Sequence, residues 1–294
     1  MRQLIHKTKI FLEMIKFEHS LFALPFAYMG SILGAVVETG HLPMWTQIMW
    51  ITLAMIGART AAMSLNRVID KKYDKKNPRT ANRAIPAGLI SVAEVTVFII
   101  LSFLLLFWSA YHLNLLSVYL LPVAAFFLVF YSYTKRFTWA CHFVLGITLG
   151  LAPLGGWVAI TGGITPAALV LFITVAMWSA GFDLLYACQD VEFDREEGLH
   201  SYPSRFGIPV ALMTARVLHT LTAVGLISLF FMTNLSWWYL VGIIIAYIIL
   251  FYEHRLVSPT DLSKLNTAFF TMNGILSTVV FVFTLVDILV ETFR

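Results

Sequence analysis

Residues 46–74 read TQIMWITLAMIGARTAAMSLNRVIDKKYD. Apart from Arg59 and Arg67, the part from 46 to 69 is uncharged and mostly apolar. It is longer than the about 20 residues a helix needs to cross hydrocarbon. It runs into Asn66, Asp70 and Asp74, spaced four apart. On a helix, i and i+4 share a face, so this motif is expected to project three oxygen-bearing groups in one direction. A membrane-length helix ending in such a face predicts a helical membrane protein with a polar site at one surface.

The pattern returns downstream. An apolar run over 166–189 ends in Tyr186-Ala187-Cys188-Gln189-Asp190-Val191-Glu192-Phe193-Asp194, where a polar residue and two aspartates again recur every four. Hard oxygen ligands suit Mg²⁺, which takes a few carboxylates plus phosphate oxygens. Two facing clusters would hold a metal-bound diphosphate between them. Lys71, Lys72, Arg79, Arg83, Lys135, Arg195 and Arg205 supply positive charge nearby for the same oligophosphate. One DxxxD near a membrane surface is more often a solvated, charge-balanced loop. Two copies at equivalent helix ends make that reading the weaker one.

The rest of the chain agrees. It has 294 residues, 59% hydrophobic and 12% charged, with a mean hydropathy of +0.82. Soluble domains carry about 25% charged residues. Nine spans are expected, at roughly 20–38, 46–69, 91–112, 115–134, 138–160, 166–189, 208–232, 236–252 and 267–290, in a single all-α domain covering 1–294. The connections after spans one, three, five and seven hold no Lys or Arg; the other connections and the amino-terminal segment hold many. The positive-inside bias makes the basic side, and with it the amino terminus and both motifs, cytoplasmic. The net charge of +4 reflects this asymmetry and does not point to nucleic acid. Cys141 and Cys188 lie in apolar stretches and suggest small buried residues, not a disulfide. No cleavable signal peptide is expected, because the first apolar run continues into a full span.

Two ionisable residues stand deeper. Arg59 precedes Asn66 by seven residues, so it shares that face about 10 Å further in. An arginine there is expensive and points to function, its guanidinium suited to gripping a carboxylate bidentately. Snorkelling to the surface is the plainer alternative. Asp183 holds the equivalent place before Asp190. It is left open between pairing with Arg59, orienting an acceptor phenol and taking its proton. Tyr131 and Lys135 share a face by their i, i+4 spacing. Arg216, His219, Glu18, His19 and His200 are weaker candidates.

Asn66-x-x-x-Asp70-x-x-x-Asp74, with Asn77-Pro78-Arg79-Thr80-Ala81-Asn82-Arg83 and Pro86-Ala87-Gly88, resembles the first signature of the UbiA superfamily of intramembrane prenyltransferases. The stretch Tyr186 to Asp190 with Glu192 and Asp194 resembles the second. The early Glu18-His19-Ser20-Leu21-Phe22-Ala23-Leu24-Pro25-Phe26-Ala27 is similar to the 4-hydroxybenzoate polyprenyltransferase branch, which includes menaquinone-pathway relatives. The resemblance implies nine helices and Mg²⁺ held by Asn66, Asp70, Asp74, Asp190 and Asp194. It implies a polyprenyl diphosphate donor bound near Arg79, Arg83, Tyr131, Lys135 and Tyr186. It further implies an aromatic hydroxy acid gripped by Arg59, with the active site on the cytoplasmic side of a bacterial membrane and the prenyl tail in lipid. A secondary transporter is the main rival, but its site would lie near the midplane. A CDP-alcohol phosphatidyltransferase would carry a glycine- and alanine-containing aspartate signature that is absent. Haem farnesylation and lipid-ether synthesis are disfavoured by the branch-like residues.

Overall fold

A computed structural model of the chain describes residues 2–15 and 24–292. Lys16, Glu18 and His19 lie outside the described residues. An amphipathic helix α1 (Arg2–Met14) precedes α2 (Leu24–Thr39) and α3 (Trp45–Ile69). A short α4 (Lys71–Lys76) and a loop lead to α5 (Val92–Tyr111), α6 (Leu115–Thr134), α7 (Cys141–Thr161) and α8 (Pro166–Ala187). Two short helices, α9 (Val191–Glu196) and α10 (Tyr202–Phe206), precede α11 (Ile208–Met232), α12 (Trp237–Leu256) and α13 (Asn273–Thr292). No strand occurs among the described residues.

Of these, 8 are long and apolar enough to cross a membrane: α3, α5 to α8 and α11 to α13. The apolar α2 is shorter, at 16 residues. Eight of the nine expected spans appear as such helices; the first corresponds to α2, which is shorter, and its expected start at residue 20 falls outside the described residues. Several boundaries follow from capping chemistry. Ser91 and Glu94 form a reciprocal capping box that starts α5, and Thr165 with Pro166 starts α8. Asn114 caps α6 through the Ser117 N–H, while its amide donates to the carbonyls of Val158 and Ala159 at the end of α7.

The last span departs from expectation. A π-turn at Thr267–Met272 precedes α13 where a continuous helix was expected. The Asn273 amide reaches back to the carbonyls of Ala268 and Phe269, an intrusion into the helical ladder that accounts for the widened turn.

Helix α7 lies between α2 and α8, and small residues let the backbones touch. A Cβ on Gly146 would fall 2.3 Å from the Ala176 carbonyl oxygen, and one on Gly156 would fall 2.2 Å from that of Ala27. Close backbone approach of this kind replaces the hydrophobic drive that lipid cannot supply. Apolar side chains such as Leu104, Phe107, Ile248 and Phe251 face outward from mid-helix. Trp45 and Trp237, 88% and 79% exposed, sit at the helix ends away from the aspartate motifs, as interface anchors do. Helix ends alternate, so every Lys and Arg of the connecting loops collects at the motif end.

Candidate active site

The two motifs converge at one end of a cavity of about 1020 Å³, enclosed by α3, α5, α6, α7, α8, the loop after α4 and the π-turn. Its lining runs along α6 from Ser117 to Lys135, roughly 27 Å at 1.5 Å per residue. That nearly spans the hydrocarbon layer, about 30 Å thick. The deep walls are apolar, mixing leucines and methionines with small residues such as Ala54, Ala58, Ala124, Ala152 and Gly155. The shallow end is charged.

Each motif crosses a change of helix at its first aspartate. The backbone leaves α3 at Asp70 before resuming as α4, and a 3-10 turn, Cys188–Asp190, separates α8 from α9. In the first motif the i, i+4 backbone bonds persist through this change, Asp70 N–H donating to the Asn66 carbonyl at 2.9 Å and Asp74 N–H to that of Asp70 at 2.8 Å. Among the described residues no three His, Cys, Asp or Glu gather tightly enough to form a metal cluster by themselves.

Each aspartate instead has its own cation. Arg136 Nη2 stands 3.2 Å from Asp70 Oδ1, and Arg83 Nη1 stands 2.7 Å from Asp74 Oδ1. Arg79 donates twice to Asp190, from Nε at 3.1 Å and Nη2 at 2.7 Å. Lys135 Nζ lies 2.8 Å from the fully buried Asp194. The first motif's loop also ties the two motifs together, because Asn77 Nδ2 donates to Asp190 at 3.2 Å. Lys76 pairs with Glu197 at 2.6 Å. Asn66 Nδ2 donates to Asp70 Oδ2 at 2.8 Å.

The electrostatics follow from burial. It pushes the Asp70 carboxyl up to about 6, against the pull of Arg136 and with Asp74 adding to the rise. Burial disfavours the Lys135 ammonium, but Asp194 outweighs that and holds it above the ordinary lysine range. Arg79 is likewise held up by Asp190 despite partial burial.

A divalent metal suits this donor set. Asp74 Oδ2 and Asp194 Oδ2 are buried and accept no hydrogen bond. Such unsatisfied carboxylate oxygens are costly unless a cation meets them.

The deeper candidates resolve as follows. Arg59 lines the cavity, and its Nε is buried without a hydrogen-bond partner. Asp183 also lines the cavity, but its partner is not Arg59: Oδ2 lies 2.6 Å from His142 Nδ1. Tyr131 OH donates to the Ala62 carbonyl at 3.1 Å, one turn below Asn66. Tyr186 OH accepts from Arg79 at 3.2 Å, and its ring stacks on Phe269 at 4.1 Å.

Other candidates stand apart. Lys71, Lys72, Arg195 and Arg205 are not among the cavity-lining residues; Arg195 donates to the Ser204 carbonyl instead. His200 is exposed and off the cavity. His219 is buried on α11 against His254, away from the cavity, and Arg216 is exposed.

Four of the cavity residues that sequence reasoning did not single out bear on the site. Arg136 counted only as loop charge, although it bonds the Ile69 carbonyl as well as Asp70 and lies over Tyr73 and Tyr133. Arg67, inside the first motif, donates to Asn66 Oδ1 at 3.3 Å. Phe270 enters the cavity on the π-turn, which has no sequence signature. His142 carried a usable signal, an ionisable residue opening an apolar span, the criterion that singled out Arg59.

The chain is similar to known proteins in sequence and in fold. The chain is 29% identical over 240 residues to the 4-hydroxybenzoate octaprenyltransferase of Aliivibrio fischeri (strain ATCC 700601 / ES114), covering 79% of this chain and 81% of that one. It is 34% identical over 170 residues to the mitochondrial 4-hydroxybenzoate polyprenyltransferase of Rattus norvegicus, covering 58% of this chain; the match spans about half of that longer protein, 46%. Among solved structures, the apo UbiA homolog from Aeropyrum pernix K1 superposes with a TM-score of 0.83 at 27% identity, covering 92% of this chain and 98% of that one. The UbiA homolog from Archaeoglobus fulgidus bound to GPP and Mg²⁺ shares the fold, with a TM-score of 0.74 at 20% identity, covering 95% and 99%. The family model for UbiA prenyltransferases matches residues 23–275, which contain both aspartate motifs and the whole cavity, and the chain belongs to that family.

Proposed function

We propose that the protein transfers a polyprenyl chain from its diphosphate to a ring carbon of an aromatic hydroxy acid, either 4-hydroxybenzoate or 1,4-dihydroxy-6-naphthoate. One observation carries this reading: a rim of four carboxylates, each held by its own cation, opens into an apolar cavity nearly as long as the bilayer is thick. A substrate with an oligophosphate head and a long hydrocarbon tail matches both ends. The basic loops at the motif end support a cytoplasmic site.

Asp70, Asp74, Asp190 and Asp194, with Asn66 assisting, would hold Mg²⁺. When bound, the metal supplies charge neutralisation that makes the diphosphate a better leaving group. The chain's own cations do the rest. Arg79, Arg83, Lys135 and Arg136 exchange their carboxylate partners for diphosphate oxygens and stabilise the charge as it departs. Arg59, with a free buried Nε, grips the acceptor's carboxylate. The packed helices keep water from the allylic cation.

The test is prenyl transfer by purified protein in nanodiscs. Geranyl diphosphate and Mg²⁺ are supplied with each acid separately, and products are read by mass spectrometry. Magnesium-dependent product with one acid and not the other establishes the reaction and its acceptor. No product from protein that still binds the diphosphate moves the acceptor elsewhere in the family. No diphosphate binding at all overturns the reading in favour of transport.

A further inference from the structure

We propose that His142 is a positioning residue for prenyl transfer, holding Asp183 as the carboxylate that receives the acceptor's hydroxyl proton. The proposal rests on the transfer reading above. Asp183 precedes Asp190 by seven residues on α8, about 10 Å deeper, and lines the cavity below the charged rim. Its Oδ2 is 2.6 Å from His142 Nδ1, and His142 is 3% exposed. The other ring nitrogen, Nε2, accepts the Tyr202 backbone N–H at 3.3 Å. That N–H opens α10, where a helix leaves its first donors without internal partners.

A nitrogen that accepts a hydrogen bond carries no proton. The Tyr202 contact therefore places the imidazole proton on Nδ1, aimed at Asp183. Tyr202 is itself fixed, its hydroxyl 3.0 Å from that of Thr214 and its ring against Trp139 and Phe206. The groups facing His142 are thus Asp183 from α8, Tyr202 from α10 and, on α7 itself, Cys141, whose thiol points to the His200 carbonyl. One oxygen of Asp183 is locked by His142. Oδ1 takes part in no hydrogen bond among the described residues and is left to a ligand. In an apolar cavity, a carboxylate oxygen without a partner is completed by a hydroxyl donor.

The step balances without a further reagent. The donor C–O bond breaks with its electron pair leaving on the diphosphate. A ring carbon beside the hydroxyl forms the new C–C bond, and the hydroxyl proton passes to Asp183 Oδ1, giving a neutral dienone. The ring C–H proton then leaves to a diphosphate oxygen, and Asp183 returns its proton to the ring oxygen. His142 transfers nothing; its Nδ1–H keeps Asp183 aimed.

The test compares wild-type chain with His142→Leu, His142→Asn and Asp183→Asn in nanodiscs. His142→Leu is expected to lower kcat about 100-fold, the scale of a lost general base, with calorimetric binding of Mg²⁺ and geranyl diphosphate unchanged. Asn, whose amide reaches the place of Nδ1, is expected to recover most of the loss. The wild-type-to-Leu rate ratio should shrink on fluorinated hydroxy acids, whose hydroxyls give up the proton more readily. A merely structural role would depress all acceptors equally and resist rescue. Wild-type kcat in His142→Leu, or an equal loss on every acceptor with no rescue by Asn, overturns the proposal while leaving the transfer reading in place. Nitrogen-15 NMR of labelled histidine gives an activity-independent check: Nδ1 protonated and Nε2 bare is expected, and the opposite tautomer overturns it. Wild-type protein that forms no prenylated acid overturns the transfer reading and this role together.

Discussion

Asp70 and Asp190 hold the same backbone conformation at the same place in their motifs, with φ −89° and ψ 4° for one and φ −104° and ψ 8° for the other. Both lie in the sparsely populated bridge region where active-site residues recur. Each marks the point where a membrane-length helix gives way to a six-residue one. Successive carboxylates meet different partners, so the rim is a set of four separate ion pairs. In a low-dielectric site, ions left without partners would be costly. Those pairs hold the rim together until a ligand replaces them.

Substituting Asp70→Asn or Asp190→Asn should cut transfer at least about 100-fold, the scale of lost electrostatic stabilisation at a reacting centre. Fold and membrane insertion should persist, as judged by elution profile and circular dichroism. Full activity in either variant would remove both residues from the metal site.

The Lys135–Asp194 pair makes a stability prediction. Asp194 is 0% exposed, so Lys135→Met leaves a buried carboxylate unpaired, at a cost of order 3 kcal/mol near neutral pH. The cost should shrink as pH falls, because the orphaned carboxyl can take a proton. Adding Asp194→Leu to Lys135→Met should restore much of the loss. Thermal unfolding of the two variants across pH measures both effects.

Arg59→Ala should raise the acceptor KM about 10- to 100-fold, the worth of a charge-assisted hydrogen bond, with the donor KM little changed. Arg59→Lys should recover only part, because an ammonium lacks the guanidinium fork. A rise confined to the donor KM would reassign Arg59 to the diphosphate.

Asp70 titrates near 6 because burial disfavours its charge. A raised carboxyl is ionised only above that pH, so proton and metal compete below it. Magnesium affinity with geranyl diphosphate present should fall about tenfold per unit below pH 6 and level off above it. Calorimetry at pH 5, 6, 7 and 8 checks the sign; affinity that rises on acidification would contradict it.

Much of the site was legible because its residues are local in sequence. Asn66, Asp70 and Asp74 lie within nine positions, and Arg59 and Asp183 stand out because charge inside an apolar helix is expensive. His142 and Asp183 are 41 residues apart. Nothing in either stretch indicates that one is the other's partner. Tyr131 lines the cavity, but the bond from its hydroxyl to the Ala62 carbonyl across a helix contact has no local signal. Lys71 and Lys72 looked equivalent to Arg79 and Arg83, but on the short α4 they point to solvent. The loop beyond carries the two arginines back onto Asp190 and Asp74.

The amino-acid sequence by itself determined that this is a helical membrane protein, where most of its long helices begin and end, and that two acidic motifs collect at one end of the bundle. Those features follow from apolar run length, capping residues and periodicity, all of which act over a few neighbouring residues. Tertiary structure alone decided which cation serves which carboxylate, that Asp183 answers to His142 and not Arg59, and that the cavity runs nearly the depth of the bilayer. These depend on how α3, α6, α7 and α8 pack, and helix packing joins residues far apart in the chain through contacts that no local pattern encodes.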